Sequence, residues 1–141
     1  MARQESTDER LARIPLFEGL SKKQLSQVSS LMTPLDLKAG KVLARQGEVG
    51  REFLILLEGQ VEVVRDGKII AVRGPGDFIG EIALLDNRPR TATVTARTDV
   101  VVEVLNRGEF ASLLAKAPEL SSQIMVTMAR RLAALDRDSN L

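Results

Sequence analysis

Residues 80–94 read GEIALLDNRPRTATV, a stretch whose residue types and spacing could do chemistry. Gly80 permits backbone angles closed to other residues and lets a ligand approach the main chain. Ile82, Ala83, Leu84 and Leu85 can follow as one helical turn whose unpaired N–H groups face an anion. A carboxylate at Glu81 would repel that anion unless it had a separate task nearby, such as accepting a hydrogen bond from a ribose hydroxyl. Arg90, folded back across the turn after Pro89, supplies a permanent cation with a planar donor fork matched to phosphate oxygens. Sugar plus phosphate is the chemistry these groups spell. The plain alternative is a helical turn and a surface loop, with Glu81 and Arg90 an exposed ion pair worth little. Arg88 is left outside the site as a basic residue facing water.

The elements that must hold this stretch are short strands. From Pro34 to Asn106, apolar runs alternate with glycines at 40, 47, 50, 59, 67, 74, 76 and 80, the texture of strands and tight turns. The clearest strands are 52–57, 60–65, 68–73 and 100–105, and Asp66-Gly67 between the second and third is a two-residue hairpin signal. An antiparallel barrel or roll follows. Helices flank it. Leu11, Ile14 and Phe17 can bury one face of a short segment, while residues 1–10 are polar and expected to fray. Ser21 and Gln24 have capping-box spacing ahead of Leu25, Val28, Leu31 and Met32. Asn106 and Glu109 repeat that arrangement before Phe110, Leu113 and Leu114, and Pro118 suits the first turn of a last helix. That helix carries Leu120, Ile124, Met128, Leu132 and Leu135 at spacings of three or four, a stripe that needs a cover.

Composition narrows the function. The chain has 141 residues, one domain's worth, with 20 basic and 19 acidic side chains and a formal charge of +1. No overall field draws it to nucleic acid or to an anionic membrane. With Cys 0 and His 0, thiolate chemistry, Cys/His zinc sites and His general-base catalysis are excluded. No paired-carboxylate or metal-ligand spacing stands out, so neither an enzyme nor a metal site is expected. Neither a signal peptide nor an apolar run of about 20 residues appears, and the expected location is cytoplasmic.

Residues 80–94 resemble the phosphate-binding cassette of cyclic-nucleotide-binding domains, the family of the catabolite activator and of protein kinase A regulatory subunits. Upstream, Gly40, Gln46-Gly47-Glu48, Phe53-Leu54-Ile55, Gly59 and Gly76-Asp77-Phe78 fall where that family places its turns and core, so the likeness extends over residues 16–135. The resemblance implies a mainly β fold with flanking helices: an antiparallel, jelly-roll-like β-roll (a double-stranded β-helix). An N-terminal helix, a short cassette helix and two C-terminal helices complete it. On the same ground the single domain divides into N-terminal helices at 11–32, a β-roll at 33–106 and C-terminal helices at 107–136.

The resemblance further implies that Gly80, Glu81, Ile82 and Ala83 meet the ribose and phosphate, that Arg90 pairs with the phosphate, and that Thr91 lies beside it. The ligand it implies is cAMP, with cGMP the alternative that a threonine at position 91 favours. In this family the last helix commonly swings over the base and two chains often pair along it. A homodimer through that helix is therefore a candidate, as are base contacts from Arg130 and Arg131, although solvated charges are an equal reading of those two. The expected function is a stand-alone, non-enzymatic sensor acting on an effector protein the sequence does not name. Its rivals are the sensor part of a catabolite-activator-type transcription factor without its DNA-binding portion, and a dimerisation module that no longer binds nucleotide.

Overall fold

The structure, a computed structural model, describes residues 7–80 and 88–139, with the side chains of the last helix covered only in part. Among the described residues, eight strands form two four-stranded antiparallel sheets: β1 (Thr33–Leu37), β2 (Val42–Ala44), β3 (Glu52–Glu58), β4 (Val61–Arg65), β5 (Lys68–Arg73), β6 (Phe78–Ile79), β7 (Thr93–Ala96) and β8 (Val100–Asn106). The first sheet has the order β1-β8-β3-β6 and the second β2-β7-β4-β5. This is the β-roll with flanking helices that the sequence led us to expect.

The two sheets are buried differently, and the sequence explains why. Leu54, Leu56, Val100 and Val102 of the first sheet meet Ala44, Val61, Val94 and Ala96 of the second in one apolar layer. On its other side the first sheet offers Phe53, Ile55, Phe78 and Leu105 to the helices. A strand covered on both faces reads as an unbroken apolar run rather than an alternation, and β3 accordingly carries Phe53, Leu54, Ile55 and Leu56, all buried. Among the described residues nothing covers β5 of the second sheet in this way, and its Ile69, Ile70 and Val72 are exposed. Between β4 and β5 the hairpin turn places Asp66 at φ 52° and Gly67 at φ 79°. Positive φ at both central residues is what a tight primed turn demands.

Among the described residues, four helices and one 3-10 turn cover the first sheet: α1 (Thr7–Ala12), the 3-10 turn (Pro15–Phe17), α2 (Lys22–Ser30), α3 (Arg107–Lys116) and α4 (Pro118–Ser139). Both expected capping boxes are present. Ser21 Oγ accepts from Gln24 N at 3.1 Å while Gln24 Oε1 accepts from Ser21 N at 2.8 Å, and Asn106 with Glu109 does the same at 2.8 and 3.0 Å. Phe53 holds the helical layer to the sheet, its ring centroid 5.3 Å from both Phe78 and Phe110. The expected cassette turn of Ile82, Ala83, Leu84 and Leu85 lies outside the described residues, as do the side chains of Ile124, Met128, Leu132 and Leu135. Of that stripe Leu120 is described, and it is buried. Among the described residues no helix is long and apolar enough to cross a membrane.

One expectation needs correction. Helix α1 begins at Thr7, within the stretch read as frayed through residue 10. Tertiary contacts hold it: Ser29 Oγ donates to Asp8 Oδ1 at 2.6 Å, and Arg10 Nη2 lies 2.8 Å from Glu58 Oε1. Beneath this helical layer, on β8, sits Glu103, 2% exposed, with no hydrogen-bond partner for Oε2 among the described residues. Burial pushes its carboxyl above the usual range, and the charge of Arg10 pulls it partly back.

Candidate functional site

Arg90 is gripped at both ends. Its backbone N–H donates to Glu48 O at 2.8 Å and its carbonyl accepts from Gly47 N at 2.8 Å, while Pro89 makes an isolated antiparallel bridge with Val49. The loop between β2 and β3 thus acts as a short partner strand for residues 89 and 90. Gly47, at φ 86°, turns that loop back in a conformation other residues rarely adopt. At the far end of the side chain, Arg90 Nη2 donates to the Glu52 carbonyl at 2.9 Å.

Two glycines make room for the guanidinium. A Cβ added at Gly50 would overlap Nε, Cζ and Nη2 of Arg90, and one added at Gly80 would overlap Nη1 and press on the Glu52 carbonyl. Gly80 also has φ 90°, so it is required twice, by backbone and by neighbour. The structure therefore brings together two of the predicted residues, Gly80 and Arg90, and sets the cation at the point where residues 81–87 begin. Glu81, Ile82 and Ala83 lie outside the described residues.

Thr91 is exposed beside this cluster, and its carbonyl accepts from Arg65 Nε at 3.0 Å. The strand that follows is fixed by Ala92 and Val94, both buried. Gln46 ties the surrounding pieces together: its backbone N–H donates to Thr93 Oγ1 at 3.0 Å. Its side chain donates to Asp66 Oδ1 at 2.8 Å and accepts from Asp66 N at 3.0 Å. The hairpin turn, the β2–β3 loop and the entry to β7 are stitched into one frame behind Arg90. Arg130 is exposed on α4, a helix that packs against the 3-10 turn and α3. The side chain of Arg131 lies outside those described.

In the sequence Gln46 and Gly47 read only as turn residues, and Gly50 and Glu52 carry no sign of a role at the site. Gly47 and Gly50 are plain in the sequence, but closely spaced glycines signal a turn. That a guanidinium 40 residues onward occupies the space over one of them appears only in three dimensions. No group of His, Cys, Asp or Glu suited to a metal ion occurs among the described residues. What the frame offers is a positionally fixed cation beside flexible-backbone glycine, an arrangement suited to a small anion.

Comparison with known proteins points the same way. Residues 34–117, more than half of the chain, match the family model described as Cyclic nucleotide-binding domain. The chain is 32% identical over 130 residues to the CRP-like cAMP-activated global transcriptional regulator of Mycobacterium tuberculosis, covering 89% of this chain and 58% of that protein. It superposes on the Thermus thermophilus catabolite activator protein with a TM-score of 0.83 at 28% identity, over 89% of this chain and 62% of that one. With cAMP-bound PfPKA-R the TM-score is 0.81 at 26% identity, over 95% of this chain and 46% of the other. The chain thus spans less than two thirds of the length of each of these relatives.

Proposed function

The chain belongs to the cyclic nucleotide-binding domain family, and from that premise we propose that it is a non-enzymatic cytoplasmic sensor whose ligand is cAMP, with cGMP the competitor that Thr91 admits. The observation that carries this reading is the guanidinium of Arg90, held on the Glu52 carbonyl between Gly50 and Gly80 at the start of the cassette. A cyclic phosphate carries one negative charge and exposes oxygens that match a guanidinium fork. Arg90 and the backbone N–H groups of Glu81, Ile82 and Ala83 anchor that phosphate, and the Glu81 carboxylate accepts from the ribose hydroxyl. Similarity to a cAMP-activated global transcriptional regulator and to cAMP-bound PfPKA-R supports cAMP over other cyclic nucleotides.

Output runs through the C-terminal helices. A ligand shifts a conformational equilibrium only by its difference in affinity for the two states, so α4, with Arg130 and Arg131 as candidate base contacts, must close more favourably over occupied ligand. Dimer pairing along α4 and an effector protein complete the proposal. A second reading, favoured by the match to a transcriptional regulator, makes this roll the sensor part of a DNA-binding protein.

Calorimetric titration with cAMP and cGMP tests the assignment. Arg90→Ala is expected to weaken cAMP binding about tenfold to over a hundredfold, as removal of a charge-assisted hydrogen bond of roughly 1.5–3 kcal/mol requires. Undiminished affinity in that variant removes Arg90 from the site, and a wild-type protein that binds neither nucleotide overturns the sensor reading.

A further inference from the structure

We infer that Gly50 is a positioning residue for ligand binding: the side chain it lacks is the slot in which the Arg90 guanidinium lies. The inference rests on the functional reading above and deepens it. Among the glycines whose surroundings lie within the described residues, Gly50, Gly59 and Gly80 stand where a Cβ would collide with something. At Gly59 the obstacle includes the Asp99 carbonyl, and at Gly80 the Glu52 carbonyl, and both have positive φ. Substitution at either strains the backbone whatever becomes of Arg90. Gly50 differs on both counts. Its φ lies outside the left-handed region, and all three of its nearest atoms belong to the guanidinium of Arg90.

A fold demand does not account for glycine at such a position, because an alanine there fits the backbone and collides with the movable tip of one side chain. The tip is nevertheless the functional end. Arg90 holds its place through Glu52 O, which accepts from Nη2, and through the proximity of Nη1 to Gly80. A methyl group at position 50 fills the space occupied by Nε, Cζ and Nη2 and drives the guanidinium off the Glu52 carbonyl, away from the cassette entrance. Its main-chain bonds to Gly47 and Glu48 stay, so the chain folds as before with its cation misplaced. Affinity for an anionic ligand depends on that placement as well as on the charge itself.

Gly74 supplies a matched control, since its φ is also outside the left-handed region and a Cβ there meets nothing within 4 Å. We expect Gly50→Ala to weaken cAMP binding by about tenfold or more, with an unchanged circular dichroism spectrum, while Gly74→Ala stays within about twofold of wild type. The decisive comparison is the double variant. If Gly50 acts through Arg90, Gly50→Ala combined with Arg90→Ala binds no more weakly than Arg90→Ala alone, because the colliding group is gone. Additive losses, or Gly50→Ala binding at wild-type strength while Arg90→Ala does not, overturn the inference and leave the functional reading standing. Wild-type protein that binds neither cAMP nor cGMP overturns both. Should Gly50→Ala fail to fold, recovery of the fold in the double variant supports the collision with Arg90, and failure of both refutes it.

Discussion

A carboxyl group that is almost fully buried must be neutral, paired or costly, and Glu103 on β8 stands between these cases. Burial raises its pKa above the ordinary 4.5, and the Arg10 charge offsets this in part, while Arg10 itself is engaged with Glu58. A raised folded-state pKa means that the native protein binds the proton more tightly than the unfolded chain. The associated stability is complete below the ordinary value and lost as pH rises through the raised one. Asp99 behaves in the opposite sense. The Ala39 N–H and then Lys38 hold its exposed carboxyl below 3.8, so its contribution is present above that value and is lost as pH falls through the depressed one. The two groups act in separate windows. We expect Glu103→Gln to flatten the loss of stability on raising pH above 4.5 and to leave the protein at least as stable as wild type at pH about 7. Urea melts at a series of pH values check this, and a variant that retains the wild-type slope would assign it to another group.

Elements were legible in proportion to how local their causes are. The two capping boxes and the Asp66-Gly67 turn are set by side chains within a few residues, and the structure has all three. Strands β3, β4, β5 and β8 carry runs of apolar residues long enough to declare themselves. Strand β6 has only Phe78 and Ile79, and β1 contains Pro34, which is tolerated because that strand lies at a sheet edge. Neither announces itself in sequence. Helix α1 was misjudged because the bonds that hold it reach Ser29 and Glu58, far along the chain. The candidate site divides in the same way: the cassette was recognisable as a contiguous motif, whereas the slot at Gly50 depends on a residue that arrives from elsewhere. A local cause also permits a local prediction. Asn106→Ala removes the acceptor for the Glu109 N–H at the start of α3, and loss of such a cap costs about 1 kcal/mol. Chemical denaturation should show a lower midpoint with an unchanged m-value, and an unaltered midpoint would mean that packing of Phe110 and Leu113 alone fixes the helix start.

On the scale of the molecule, the helices tie the two ends of the described chain to one side of the roll. Gln123 of α4 donates to the Glu18 carbonyl, and Gln24 of α2 donates to Glu119 at 3.3 Å. A movement of α4 must break these bonds or carry the N-terminal helices with it.

The uneven cover of the two sheets sets a hierarchy of breathing. Amide protons of β3 and β8, locked between apolar layers, should trade with deuterium only when the whole protein opens, while those of β5, at an open margin, escape through small local excursions. Deuterium uptake followed by mass spectrometry would register this as a slow slab and a fast outer leaf, and equal rates in both would deny it. On the proposed function, a nucleotide at Arg90 would sit where Glu52 of the first sheet meets the entry to β7 of the second, between a stiff leaf and a yielding one.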